Sequence, residues 1–154
     1  MKFEIPYIPT PVDVVDEMLK LANVKSGDVV VDPGCGDGRV LFRCVEKFNA
    51  YGIGIEKNRG LVEKCIREIF KRGLVGKILI IYGDLFEFNY SIANVVTLYL
   101  GTDINERLRP KLERELRPGT RVVSHDFEVP GWKPVKIVKV RSWKKEHILY
   151  LYIV

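Results

Sequence analysis

Two kinds of apolar pattern alternate along the chain. Short, nearly continuous apolar runs recur at Val29-Val30-Val31, Ile53-Gly54-Ile55, Ile78-Leu79-Ile80-Ile81-Tyr82, Ala93 to Leu100 and Val122-Val123. Between them lie longer stretches whose apolar residues return every third or fourth position. Val15, Met18, Leu19 and Ala22 form one such stripe, and Val40, Leu41, Cys44, Val45 and Phe48 form a second. Leu61, Val62, Cys65, Ile66, Ile69 and Phe70 make a third, and Ile104, Leu108, Leu112 and Leu116 a fourth. The short runs are bounded by Gly, Asp and Asn, which predicts strands covered on both faces. The spaced stretches predict amphipathic helices. Strand and helix in alternation predict an α/β architecture built on a largely parallel sheet.

Element ends are marked as well. In Thr10-Pro11-Val12-Asp13, Thr10 is expected as the N-cap, Pro11 at the first helical position and Asp13 in the first turn. Pro110 predicts two short helices or a kink in the segment that follows the fourth strand. After a fifth strand, Thr120 to Ser124, the turn Val129-Pro130-Gly131-Trp132 leads to two last strands, Val135 to Val140 and Ile148 to Val154. The alternation Lys136-Ile137-Val138-Lys139-Val140 suits a half-exposed edge strand. A terminal hairpin gives a mixed sheet of seven strands with at least one antiparallel, and sequence alone does not say which. Residues 1–154 read as one domain, with residues 1–22 as an N-terminal lid segment and helix.

Charge and cysteine content narrow the class. The net charge of +5 is spread along the chain, which fits either a solvated surface or acidic partners such as nucleic acid. Cys35, Cys44 and Cys65 form no C-x-x-C pair, and His125 and His147 are the only histidines, so no metal site is expected. No apolar run is long enough for a bilayer and no signal-peptide pattern is present, which predicts a cytoplasmic protein. The chain has no glutamine and many Lys, Arg and Glu residues, a bias of proteins from hot environments.

The candidate chemistry centres on Asp32-Pro33-Gly34-Cys35-Gly36-Asp37-Gly38-Arg39, a strand end, a glycine-rich turn and a helix start. Such a turn lets backbone approach a ligand closely, and the helix start offers unpaired N–H groups. A dinucleotide fingerprint would place its third glycine where Arg39 stands. Asp32, directly before the loop, disfavours a pyrophosphate and favours a cationic or zwitterionic ligand. Glu56 ends the second strand about twenty residues beyond Gly36, at the position that reaches a nucleoside ribose. Asp84 follows the third strand, where it can accept from an adenine amine with Leu85 or Phe86 beside the ring.

A carboxylate followed by G-x-G-x-G resembles the first motif of class I S-adenosylmethionine-dependent methyltransferases. More particularly, Tyr7-Ile8-Pro9-Thr10-Pro11, Asp32 to Arg39, Gly54-Ile55-Glu56 and Arg121 to Glu128 resemble the small archaeal protein lysine methyltransferases of broad specificity. The resemblance implies a Rossmann-like class I methyltransferase fold, a mixed seven-stranded sheet with the last strand reversed and helices on both faces. It implies S-adenosylmethionine as donor, S-adenosylhomocysteine as product, and proteins with exposed lysines as partners. The positive charge adds nucleic-acid-associated proteins as candidate partners, and a monomer is favoured although the sequence does not fix the oligomeric state.

On the cofactor side, Tyr7, Thr10, Asp32, Gly34, Cys35, Gly36, Glu56, Asp84, Leu85 and Phe86 are the candidates. Tyr99 is expected to line the amine channel, or to be a sheet-end core residue. His125 is expected to relay a proton, or to be a hydrogen-bonded structural histidine. Thr102, Asp103, Asp126 and Trp132 are the candidate acceptor rim. The group's relatives include mitochondrial lysine methyltransferases that often carry a tyrosine, leucine and proline here, from which Tyr99-Leu100-Gly101-Thr102 departs, and no Asn-Pro-Pro-Tyr motif is present. The competing expectations are an RNA or small-molecule methyltransferase, and a non-catalytic nucleic-acid-binding or assembly protein that retains a cofactor fold.

Overall fold

The apolar runs become the strands β1 (Val29–Pro33), β2 (Tyr51–Glu56), β3 (Ile78–Tyr82), β4 (Val95–Leu98) and β5 (Arg121–His125), followed by β6 (Lys136–Ser142) and β7 (Lys145–Ile153). The spaced stretches become α1 (Val12–Leu21), α2 (Arg39–Phe48), α3 (Arg59–Lys71) and α4 (Thr102–Glu115), and a 3₁₀ turn at Tyr90–Ile92 precedes β4. In the computed structural model, which describes residues 8–154, the strands form one seven-stranded sheet ordered β3-β2-β1-β4-β5-β7-β6. Strands β1 to β5 are parallel, whereas β7 runs antiparallel to both β5 and β6. The last strand is therefore the reversed one, and β6 lies at the edge in the direction of the parallel set.

Each helix stripe lands on one face of this sheet. Val14, Val15, Met18 and Leu19 of α1 pack with Val40, Leu41 and Cys44 of α2 over Val30, Val95, Val123 and Leu149. On the other face, Leu108 and Leu112 of α4 cover Val31, Val96, Leu98, Val122 and Tyr152. Truncating any fully buried leucine of these clusters would cost about 2–5 kcal/mol. Asp16 of α1 accepts two bonds from Arg43 of α2, at 2.8 and 2.6 Å, and a third from Lys47 at 3.0 Å. The Arg43 bond holds the Asp16 carboxyl below its ordinary range, and this pairing orients α1 on α2.

Three expectations are corrected. Thr10 does not cap α1: Pro11 is the N-cap residue, no side chain caps it, and the buried Thr10 hydroxyl turns inward to His125. Pro110 does not split its segment, because α4 runs through it as one helix. Pro110 lies on the exposed face, where the carbonyl that loses its N–H partner meets water. The fourth strand is also shorter than its apolar run, because Asn94 precedes β4 and accepts a side-chain bond from the Val29 N–H at 2.8 Å.

Candidate active site

The strand order reverses between β1 and β4, and in an open parallel sheet the crevice beyond the carboxyl ends at such a point is the ligand site. The glycine loop leaves β1 there. Gly34 and Gly36 adopt φ of +70° and +57°, which a side chain would strain. A Cβ on Gly34 would stand 2.8 Å from Leu100, the residue beyond β4. The Gly34 and Cys35 N–H groups donate to the Ile55 carbonyl, fastening the loop to β2. Cys35 fills the space over Gly54, whose Cβ would lie 2.6 Å from its sulfur. A hydrogen bond with Cys65 and burial push the Cys35 thiol far up, so it is an inert filler.

Acids ring this loop. Asp32 is buried, accepts from the Thr97 hydroxyl at 2.9 Å, and is pushed up to about 7. Burial is the main cause, and the charges of Glu56 and Asp37 add to it against the Thr97 bond. Glu56 is also buried. Its two oxygens accept from the Gly36 N–H and the Asn58 N–H, both at 2.9 Å, so it braces the loop from the end of β2. Asn58 caps α3 by accepting from the Leu61 N–H. Asp84 is exposed beyond β3 and accepts from the Phe86 N–H at 2.8 Å. Leu85 and Phe86 are half-buried beside it, and the Arg107 guanidinium lies 4.6 Å from the Phe86 ring.

The aromatic part of the site lies beyond β4 and β5. Tyr99 stacks on His125 at 4.1 Å between centroids and on Phe127 at 5.9 Å. His125 is fully buried behind Tyr99, and each of its ring nitrogens has a partner. Nδ1 is hydrogen-bonded to Thr10 Oγ1 at 3.0 Å and Nε2 to His147 Nδ1 at 2.7 Å. Burial, reinforced by His147, lowers His125 to about 4 against the opposing charge of Asp126. Burial, followed by the Asp126 charge, raises the Tyr99 phenol, so both rings are neutral at pH 7. Arg39 donates to the Thr10 carbonyl at 3.0 Å and pairs with Asp37, so the segment before α1 is tied to the glycine loop as well as to His125.

His125, Asp126 and His147 gather three potential metal-binding atoms within 4.8 Å of one another. The two imidazole centroids lie 4.9 Å apart across the 2.7 Å N···N contact. That separation places the contact along both ring axes, so the two lone-pair directions meet each other rather than a third point. The pair is a hydrogen bond in which one ring's N–H donates to the other ring's nitrogen.

Most sequence-predicted residues gather at this one edge of the sheet. Thr102 and Asp103 are exposed in the first turn of α4, and Asp126 is half-buried after β5 with φ of +62°. Trp132 is a correction. It packs on Tyr152 at 5.5 Å, and its indole donates to Glu113 at 2.8 Å. Tyr152 pairs with Val122 near the start of β5, at the opposite end of the sheet. Because β6 runs parallel to β5, the connection must return the length of the sheet, and Trp132 lies far along that return. Tyr7 falls outside the described residues. His147 and Thr97 were not foreseen as site residues. The period-two burial of His147, Leu149 and Leu151 emerges only with the fold, because Ile148 and Tyr150 between them are apolar as well.

A reversed-order parallel sheet with a glycine loop between buried acids, closed by an antiparallel last strand, defines a class I S-adenosylmethionine-dependent methyltransferase. Residues 32–136 match the family model described as the ANTKMT methyltransferase domain, and the chain belongs to that family. It is 45% identical, over 97% of its length and 94% of the other's, to a protein-lysine N-methyltransferase of Saccharolobus islandicus. A mouse adenine nucleotide translocase lysine N-methyltransferase is 28% identical over 90% of this chain, which spans 60% of that longer protein. The fold superposes with a TM-score of 0.89 on the crystal structure of a protein described as an RNA methyltransferase, from Salinibacter ruber, with S-adenosyl-L-homocysteine. That pair is 42% identical over 95% of this chain and 93% of the other.

The donor set suits the cofactor. A buried carboxyl that burial keeps protonated to about pH 7 gains from an ammonium partner, and the open glycines leave room for backbone contact. Among the described residues, no helix is long and apolar enough to cross a membrane.

Proposed function

We propose that the chain methylates the ε-amino group of lysine side chains in proteins. The observation that carries this reading is the 45% identity, across nearly the whole of both chains, to a protein-lysine N-methyltransferase. The neutral aromatic wall beyond β4 and β5 supports it.

When bound, S-adenosylmethionine supplies an electrophilic methyl group and a sulfonium charge. Asp32 would face the ammonium of its methionine part, with Gly34, Cys35 and Gly36 lining that part of the crevice. Glu56 would accept from the ribose hydroxyls while keeping its hold on the loop. Asp84, Leu85 and Phe86 would frame the adenine, and Thr10 would approach from the N-terminal segment.

A lysine ammonium has an unperturbed pKa of about 10.4 and no lone pair to attack with. Tyr99 and Phe127 offer a desolvating channel that favours the neutral amine, so the proton leaves to water before transfer. Tyr99 is too weakly acidic to serve as a charged base, and His125 sits behind it without surface of its own. His125 therefore acts as a support that fixes the Tyr99 ring, and alignment of amine and methyl group supplies much of the rate. Thr102, Asp103 and Asp126 would form the rim that receives the incoming side chain.

RNA methylation is the second reading, favoured by the likeness to the Salinibacter protein, which is described as an RNA methyltransferase. One experiment separates the two. Purified protein is given methyl-labelled S-adenosylmethionine and a mixed cell extract, with parallel samples treated by protease or ribonuclease. The expected outcome is label recovered as methyl-lysine after acid hydrolysis and lost with protease. Label lost with ribonuclease would transfer the function to RNA. In calorimetry, Glu56→Ala is expected to weaken cofactor binding by about tenfold or more, since two hydrogen bonds to a charged group are removed. Unchanged affinity would remove Glu56 from the site.

A further inference from the structure

The hairpin joining β6 to β7 carries an indole that neither the backbone nor the core explains. Ser142 pairs with Lys145, and the two residues between them, Trp143 and Lys144, have φ of +51° and +63°. Two-residue hairpin turns of this hand favour Asn-Gly because bulky side chains are strained at positive φ. Trp143 nevertheless occupies the first of these positions with 94% of its surface exposed, so it recovers nothing by burial in this chain.

The tip is also strongly basic. Residues 136–147 hold five Lys or Arg and a single acid, Glu146. Glu146 lies 3.8 Å from Lys139 in an exposed pair of little strength. Arg141, Lys144 and Lys145 are exposed and make no ion pair among the described residues.

Its position connects it to the aromatic channel. Because β7 is antiparallel to β5, the turn stands beyond the carboxyl end of β5, on the edge that carries Tyr99. His147, two residues into β7, touches His125, and Ser142 donates to Asp13 at the start of α1. The tip thus lies about 10 Å beyond His147 at the usual strand rise.

We propose that this hairpin docks acidic residues flanking the target lysine, so that the enzyme selects lysines in acidic segments of protein substrates. The inference rests on the lysine reading above and deepens it. The three free cations attract carboxylates and repel segments that are basic throughout, which governs encounter and partner choice. The indole adds apolar contact for the side-chain stems and backbone of the docked segment. An extended segment spans about 3.3–3.6 Å per residue, so the favoured acids lie about three to six positions from the lysine. No group of the hairpin touches the reacting atoms, so the effect falls on KM and leaves kcat unchanged.

The test uses two peptides with one lysine each, identical except for Glu or Ser at those flanking positions. The wild-type protein is expected to show about tenfold higher kcat/KM on the acidic peptide, with the advantage shrinking at high salt. Lys144→Glu with Lys145→Glu is expected to abolish that advantage, and Trp143→Ala to raise KM on the acidic peptide several-fold, with kcat on the Ser peptide unchanged in both. Equal kcat/KM for the two peptides, or an advantage unaffected by the double reversal, overturns the proposal and leaves lysine methylation intact. Absence of methyl-lysine in both peptides and in the extract, with ribonuclease-sensitive label instead, overturns the lysine reading and this proposal together. A single-stranded oligothymidine that quenches Trp143 fluorescence and loses binding in the variants, while peptide selection stays intact, assigns the surface to nucleic acid and overturns it as well.

Discussion

Asp32 and His125 are both buried at the carboxyl edge of the sheet, and burial acts on them in opposite senses. Asp32 is raised from 3.8 to about 7, so between those values the folded chain holds a proton that the unfolded chain has released. Its contribution to stability is present in acid and is lost as pH rises to 7, by about 4 kcal/mol. His125 is lowered from 6.5 to about 4, so there the unfolded chain holds the extra proton. Its contribution is present above 6.5 and is lost as pH falls towards 4, by about 3 kcal/mol. Urea unfolding across this range is expected to show Asp32→Asn gaining on the wild type as pH rises. His125→Asn should gain on it as pH falls. Parallel curves for wild type and either variant would refute the assignment for that residue. Asp32 was legible because a strand-terminal acid before glycines has few other uses. His147 was not, because Lys145-Glu146-His147 is too polar to look like strand, and only the ladder to β6 extends β7 that far.

At the scale of elements, the strands β1 to β5 and their helices follow directly from apolar periodicity. What the pattern left open is the order of the last two strands, since either member of a hairpin can lie beside β5. That one choice sends the connection after His125 back down the sheet and carries Trp132 away from the rim. Pro110 shows a different limit, because an exposed carbonyl can lose its partner to water and the helix continues. The contact of β2 with the glycine loop is the tightest joint of the site. Gly54→Ala would bring a Cβ to 2.6 Å from both Cys35 Sγ and Leu41 Cδ1. It is expected to cost about 1–3 kcal/mol in urea unfolding and to weaken cofactor binding in calorimetry, because the loop must shift with Cys35. Wild-type affinity in this variant would show that the loop is not positioned by that contact.

Over the whole molecule, the net charge of +5 gave little direction when read along the chain. Folding concentrates part of it on the β6–β7 hairpin, next to the site, while other cations are matched within the protein, as Arg43 is by Asp16 and Arg121 by Asp28. Placing Trp143 at the tip has a stability cost. Trp143→Asn is therefore expected to raise the melting temperature by about 2–4 °C, the shift produced by relieving strain of order 1 kcal/mol. A lower melting temperature would mean that the indole supports the fold.

The reversal of strand order between β1 and β4 also bears on the order in which the protein folds. Strand β1 pairs with β2, and β5 with β7, over short stretches of chain, as Val29 does with Tyr51 and His125 with Leu149, whereas β1 meets β4 only across the long span from Val30 to Val95. Pairings that close the longest loop form late, because chain entropy must be lost before they form. Pulse-labelled hydrogen exchange during refolding is expected to protect the Gly34 and Asp126 N–H groups, which donate to Ile55 and Ile148, before that of Asn94, which donates to Val29. The Asp32–Thr97 bond would then be completed in the final docking step, so a partly folded chain could hold a formed glycine loop and a formed His125–His147 contact before the crevice between them exists.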